Sequence, residues 1–438
     1  MNARLALAAT LVVAPLAVAD DWPHWMGPTR DNVWHETGIV DKFPKDGPKK
    51  LWSFPVHGGY AGPAVVGGKV FVMDYEKLKG NTDEGNFERK ETTGTERVVC
   101  VDEKKGEKVW EYKYEVKYAI SYPGGPRCTP TVDGEFVYTL GAEGHLACLK
   151  VKDGSKVWAK ELKDEYKTKS PLWGYAAHPL VDGDKLYTLA GGEGSHVVAL
   201  DKKTGKELWK SGTESDPTGF GYTPPSIIKA GGKRQLIVTG PSSVRGLDPE
   251  TGSEYWKEKY TATSGSAIMT PVLSGDYLYF GGYQKKNILI KLDKDKPTAK
   301  TEWKDKKDHG VSAVNVQPFL QDGVVYGFDD SGIMYAVELP SGKRLWESTD
   351  VVGGKNQGSE TAFIVKNGDR FFFFTEKGDL VIGKLDKTGF TETDRAKGIM
   401  EQTQTAFGRK VVWCMPAFAD KKMFVRNDKE LACFDLAK

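Results

Sequence analysis

The sequence predicts an all-β protein, a propeller of eight four-stranded antiparallel blades, and three observations predict it. Short apolar runs recur along the chain, separated by Asp-Gly, Gly-x-Gly and Thr-Gly pairs, which is the turn chemistry of hairpins. A tryptophan closes most groups of four runs, and from Trp110 to Trp346 these tryptophans lie 48, 51, 47, 47 and 43 residues apart. Repeats of roughly 40 to 50 residues suit propeller blades. Finally, the first repeat is preceded by one surplus strand, and the last repeat stops one strand short.

The stretch 178–212 displays the unit most plainly. Runs at Pro179–Asp182, Lys185–Leu189 and Val197–Asp201 are followed by the Thr204-Gly205 turn and a fourth run carrying Trp209. A four-stranded sheet of this kind cannot bury both faces alone, so it requires neighbours like itself.

In chain order, residues 1–19 form a signal peptide. Arg4 precedes an apolar run from Leu5 to Ala17, broken by Pro15, and Ala17-Val18-Ala19 is a small-residue cleavage site. No cysteine follows it, so no lipid attachment is expected, and no later stretch is long and apolar enough to span a bilayer. The expected location is periplasmic or secreted. Removing the signal leaves 61 Lys+Arg against 60 Asp+Glu, a balance that argues against nucleic acid or anionic membrane as the main partner. The chain is expected to be a monomer.

Residues 20–50, rich in Trp, Pro and Gly, read as an extended arm lying across the fold with its tryptophans packed. The single propeller domain is assigned to residues 51–438. Leu51–Val56 resembles the Trp-bearing last strand of a repeat with nothing before it. The first repeat runs from Gly62 to Trp110 with a charged insertion at about Tyr75 to Glu96, and the second ends at Trp158. The third is the stretch above, and the fourth, fifth and sixth end at Trp256, Trp303 and Trp346. The seventh begins near Thr361 and lacks a closing Trp; the eighth starts at Pro416 and stops after three strands. Pairing Leu51–Val56 with the last repeat would close the ring and remove its free edge. Seven blades is the alternative count if the seventh repeat is wrongly divided.

Five cysteines in an exported chain raise the question of disulfides. Cys100, Cys148 and Cys433 hold one equivalent place in three repeats, and Cys128 and Cys414 share another. Equivalent places in separate blades lie far apart, so buried thiols are expected.

The repeated Pro-x-Val-x-Gly, Gly-x-Leu-x-Cys-Leu and Thr-Gly-x-x-x-Trp pieces resemble quinoprotein-type propeller repeats. These occur in pyrroloquinoline-quinone (PQQ) dehydrogenases and in the outer-membrane assembly factor BamB. Over residues 22–438 the chain resembles exported PQQ-binding-like β-propeller repeat proteins, the Trp-Pro-x-Trp-x-Gly-Pro arm included. The resemblance implies a propeller in which each Trp docks between neighbouring blades. Its motifs are packing and turn residues, and so they are silent about activity.

In a propeller, the loops leading into the innermost strands crowd around the axis on one face. Here those loops carry Gly, aromatic and polar residues, the make-up of a funnel-shaped ligand site or of a plug that keeps the axis dry. The candidate funnel residues are Arg127, Trp173, Tyr175, His178, Tyr122 and Tyr60. Arg127 could grip a carboxylate or pair with an acid such as Glu360; the aromatic residues could stack on a flat ring. PQQ needs cations for its carboxylates, an aromatic floor, and Ca²⁺ held by oxygen ligands at its quinone. The adjacent cysteines of the dehydrogenases are missing, no Cys-x-x-Cys or zinc spacing occurs, and Asn315 and Glu360 are the only metal-ligand candidates. The expectation is a non-catalytic scaffold without a cofactor that binds proteins or cell-envelope components. The alternatives are a PQQ-dependent oxidoreductase with calcium, or a propeller that binds a small molecule or glycan in the funnel.

Overall fold

The structure, a computed structural model, describes residues 20–80, 87–214, 216–306 and 308–438. The signal segment 1–19 and the 81–86 part of the charged insertion lie outside the described residues. Among these, regular structure is almost entirely β: eight four-stranded antiparallel sheets and one two-stranded hairpin. Seven of the four-stranded sheets consist of consecutive strands. They begin at Ala64–Val66, Thr131–Asp133, Leu180–Asp182, Ser226–Ala230, Val272–Ser274, Phe319–Gln321 and Ala362–Asn367. The eighth joins Ala417–Ala419, Lys422–Arg426 and Glu430–Asp435 to Lys50–Pro55, which pairs antiparallel with Glu430–Asp435. The surplus strand and the short last repeat are thus two parts of one sheet.

The middle strands are buried on both faces, as in Phe136–Leu140 and His145–Lys150, whereas outer strands such as Lys156–Glu161 are mostly exposed. Double burial requires each sheet to be covered on both sides by its neighbours, and tryptophans make that contact. The indole N–H groups of Trp52, Trp110, Trp158, Trp209, Trp303 and Trp346 donate to the carbonyls of Glu103, Val151, Lys202, Pro249, Pro340 and Asp386, each in the outer hairpin of the next sheet. Glycine makes room for five of these rings. A Cβ on Gly106, Gly154, Gly205, Gly252 or Gly342 would meet the arriving indole at 2.4–2.7 Å, and all five hold φ between +69° and +76°. Trp256 departs from the pattern. The turn ahead of it is the degraded Asp293–Pro297 segment, which has no glycine, and its N–H turns instead to Gln235 Oε1 in its own sheet.

The arm packs as expected at two of its tryptophans. Trp22 and Trp34 are buried against Phe418 and Phe372. The Trp22 N–H donates to Val65 O, Val132 N–H to Pro23 O, Trp34 N–H to Lys366 O, and Arg30 Nη2 to Pro179 O. These partners lie on or beside the innermost strands of the first, second, seventh and third sheets, so the arm runs along the inner edges of those sheets. Trp25 packs as well, partly buried against the same core and stacked on His178, and it also reaches the cavity described below.

The charged insertion of the first repeat extends its sheet. Its strands simply continue: Lys69–Gly80, Lys90–Asp102 and Lys108–Ile120 form a ribbon much longer than in any other sheet. Glu96 anchors it to the second sheet, accepting from the Tyr114 and Tyr118 hydroxyls and from Ala142 N–H. All five cysteines are buried free thiols, and Cys100, Cys148 and Cys433 face Trp110, Trp158 and Trp52 across their strand pairs.

Candidate functional site

One cavity of about 290 Å³ opens where the entry loops meet. Residues from all eight sheets or the loops ahead of them reach it, as a common axis requires: among them Tyr60, Arg127, Trp173, Tyr222, Ser266, Asn315, Phe363 and Trp413. Its wall is dominated by aromatic rings, and among the described residues Arg127 is the single charged one.

Arg127 is held by backbone, not by acid. Its Nε donates to Trp173 O at 2.9 Å, Nη2 to Ser121 O and Tyr122 O, and Nη1 to Gly125 O. Its guanidinium lies 5.0 Å from the centroid of the Tyr60 ring. A pairing with Glu360 is not found. Glu360 is buried and bonded to Lys377 at 2.6 Å and to Gln357 N–H, and it does not line the cavity. Four donors of the guanidinium are engaged, and a guanidinium has five. One N–H on Nη1 is left.

His178 and Trp25 stack with centroids 4.7 Å apart and planes 5° from parallel. Thr129 N–H donates to His178 Nδ1, which fixes the neutral ring with its proton on Nε2. Burial first, and then the nearby Arg30 charge, lower the His178 pKa to about 3. His24 is lowered to about 3 by the same two causes. A histidine that weakly basic is a poor proton acceptor at neutral pH. Burial holds Arg30 itself down to about 10.

Five of the six funnel candidates, Tyr60, Tyr122, Arg127, Trp173 and His178, share this cavity, together with Asn315. Tyr175 does not. Gly174, at φ +74°, reverses the chain between Trp173 and Tyr175, and Tyr175 packs on Phe220 while its hydroxyl donates to Ala190 O. Among the lining residues the sequence reading did not name, Trp25, Phe87, Tyr283 and Phe407 lie outside the entry loops and the innermost strands. They come from the arm, the long ribbon, the middle hairpin of the fifth sheet and the tip of the Gln404–Val411 hairpin. Phe87 and Phe407 are exposed and lean edge-on against Trp173 and Trp413. The signal for Phe87 lay in the strict alternation of residues 108–120, which marks a strand too long for an ordinary blade.

Around an aromatic axial cavity, these repeats of antiparallel sheets and docked tryptophans define a β-propeller of the quinoprotein type. The chain belongs to the PQQ_2 family, described as outer membrane protein assembly factor BamB, whose model matches residues 94–348 and 293–438. It is 24% identical over 216 residues to BamB of Xanthomonas campestris, a match covering 48% of each protein. It is 31% identical over 105 residues to a polyvinylalcohol dehydrogenase of Sphingopyxis, covering 24% of this chain and 16% of that enzyme. The chain therefore spans less than half the length of these curated relatives. In fold it resembles the quinohemoprotein alcohol dehydrogenase of Comamonas testosteroni, with a TM-score of 0.61, 14% identity, and coverage of 95% of this chain and 80% of that one. No helix among the described residues is long and apolar enough to cross a membrane.

Proposed function

We propose that the chain is an exported, non-catalytic binding propeller that holds a small organic ligand in its axial cavity. In this reading residues 1–19 direct export to the periplasm or cell envelope, residues 20–50 are the arm, and residues 51–438 form one ring of eight blades, closed by Lys50–Pro55. The observation that carries the reading is the open, aromatic-walled cavity itself; a pure scaffold is expected to have a plugged axis. Such a volume is near the lower end of small-molecule sites, about 300–1,000 Å³.

PQQ does not fit the residues present. The aromatic wall would suit its rings, but a single cation with one uncommitted donor cannot meet several carboxylates. Among the described residues no cluster of three or more His, Cys, Asp or Glu could hold a metal ion. Asn315 is the one metal-ligand candidate on the wall, because Glu360 is turned away toward Lys377. The absent adjacent cysteines point the same way.

The test is ligand-observed NMR of the purified chain against a mixed panel of small sugars and aromatic acids. Saturation transfer that disappears in Trp173→Ala and Trp413→Ala supports the reading. No transfer to any member refutes it.

A second reading, a scaffold for protein partners in the envelope, is favoured by a separate observation. Leu51, Val109, Val157 and Leu208, each just before a docked Trp, are exposed at the same place on four neighbouring outer strands. BamB relatives are named as assembly factors, which suits that use. Loss of partner capture on replacing these four by Ser, with the cavity untouched, would establish it.

A further inference from the structure

We infer that the ligand of the axial cavity is a sugar carrying one carboxylate, a uronic-acid residue. The inference rests on the reading of the cavity as a small-ligand site and names the chemistry of its occupant.

Charge comes first. Arg127 makes no ion pair among the described residues, and its four contacts are all to neutral carbonyls. Arg30 also lacks an acidic partner among the described residues, and burial, with its field second, keeps His24 and His178 neutral beside the cavity. Arg127 is the one charge on the described wall and has no carboxylate partner among the described residues, so the group that meets it best is an anion. The one N–H remaining on Arg127 matches one carboxylate oxygen, a charge-assisted bond. It does not match a phosphate or a polyacid, which would demand more donors.

The rest of the wall describes the body of the ligand. Trp173, Tyr222 and the Trp25–His178 stack offer flat faces to a ring. A benzoate-like ligand would need nothing else except its carboxylate contact. Yet neutral hydrogen-bonding groups are spread around the cavity, away from Arg127: Ser266 enters from the loop before the fifth sheet and Asn315 from the loop before the sixth. The Asn315 Nδ2 is shielded from solvent and has no hydrogen-bond partner. A buried amide left unpaired costs about 1–3 kcal/mol, so a ligand hydroxyl that accepts from it is favoured over a C–H edge. A pyranose supplies both needs, with C–H faces for the aromatic rings and hydroxyls for the amide and Ser266. The cavity volume accommodates one sugar residue with space for its linkage.

Calorimetry on the full chain at low ionic strength tests this with four probes: D-galacturonate, its methyl ester, D-galactose and benzoate. The expected result is that galacturonate binds at least tenfold more tightly than the ester and galactose. Arg127→Gln should bring the acid down to the level of galactose, and Asn315→Ala should weaken both sugars alike. The ester comparison needs no variant, so it stands even if Arg127→Gln loses its loop. Equal affinity for acid and ester overturns the role of charge. Benzoate binding without galacturonate binding overturns the sugar while leaving the cavity reading intact. No binding by any probe, with the NMR panel also silent, overturns both.

Discussion

Replacing Gly205 by alanine isolates the contact that joins one sheet to the next. Gly205 sits at φ +71°, and an added Cβ would lie 2.7 Å from the Trp158 ring. Two costs combine. The left-handed conformation disfavours any Cβ by about 1–2 kcal/mol, and forcing an atom into a packed contact adds about 1–3 kcal/mol. Gly194 supplies the control within the same sheet: it has φ +69° and nothing within 4 Å of its Cβ position. Gly194→Ala should therefore cost only the backbone part, about 1–2 kcal/mol, and Gly205→Ala about 2–5 kcal/mol. If the indole is pushed out, its 3.1 Å bond to Lys202 O is lost as well. Urea denaturation followed by tryptophan fluorescence gives the midpoints, and Trp158→Ala completes a double-mutant cycle. In that background the ring is gone, and Gly205→Ala should fall to the cost at Gly194. Equal costs at the two glycines, or an undiminished cost without Trp158, would refute the docking explanation.

Two further outcomes can be measured. His24 and His178 stay neutral in the fold down to about 3, whereas the unfolded imidazole takes its proton near 6.5. The unfolded chain then binds more protons below that value, so stability should decline as pH falls from 6.5, by about 1 kcal/mol for each histidine over the first pH unit. Glu96 and Glu376, raised by burial, act in the opposite sense at lower pH. The clean window for denaturation curves is therefore about pH 5.5 to 6.5, and His178→Gln should flatten the slope there. The thiols provide the other outcome. Burial pushes Cys100, Cys148, Cys414 and Cys433 up to about 12, and Cys128 is raised as well. The native protein should resist a thiol-titrating disulfide reagent at pH 8, and five thiols should react once it is unfolded; fewer than five would mean that a pair is oxidised.

The sheets were legible because each is written in a local pattern. The Thr204-Gly205 turn and Trp209 specify a hairpin and an outer strand without reference to the rest of the chain. Even the exception could be read locally, since the missing glycine ahead of Trp303 leaves Trp256 without a seat. The loops that lead to the axis followed from the same period, which is why Arg127, Trp173, Tyr122, Tyr60 and His178 could be named together. Neighbouring residues were harder to separate. Trp173 and Tyr175 look alike in sequence, and the backbone reversal at Gly174 decides which one faces the cavity. Trp25, Phe87 and Phe407 were out of reach for another reason: they come from the arm, the ribbon and an extra hairpin, and no repeat period specifies where such excursions land. The partner of Arg127 was likewise undecidable, because backbone carbonyls leave no mark in a sequence.

The sheet that unites Lys50–Pro55 with Glu430–Asp435 also sets the timing of assembly. Its strands stand at opposite ends of the described chain, so it cannot form until nearly the whole polypeptide has emerged. Until then Trp52 has no sheet to belong to, and Glu103 waits without the indole that will bond to its carbonyl. Contacts this distant in sequence form slowly, and an unpaired strand is an invitation to pair with the wrong chain. A chain emerging end-first must therefore keep its first strand unclaimed throughout its delivery, and a stalled or truncated product would expose both halves of its last sheet to proteases and to its own copies.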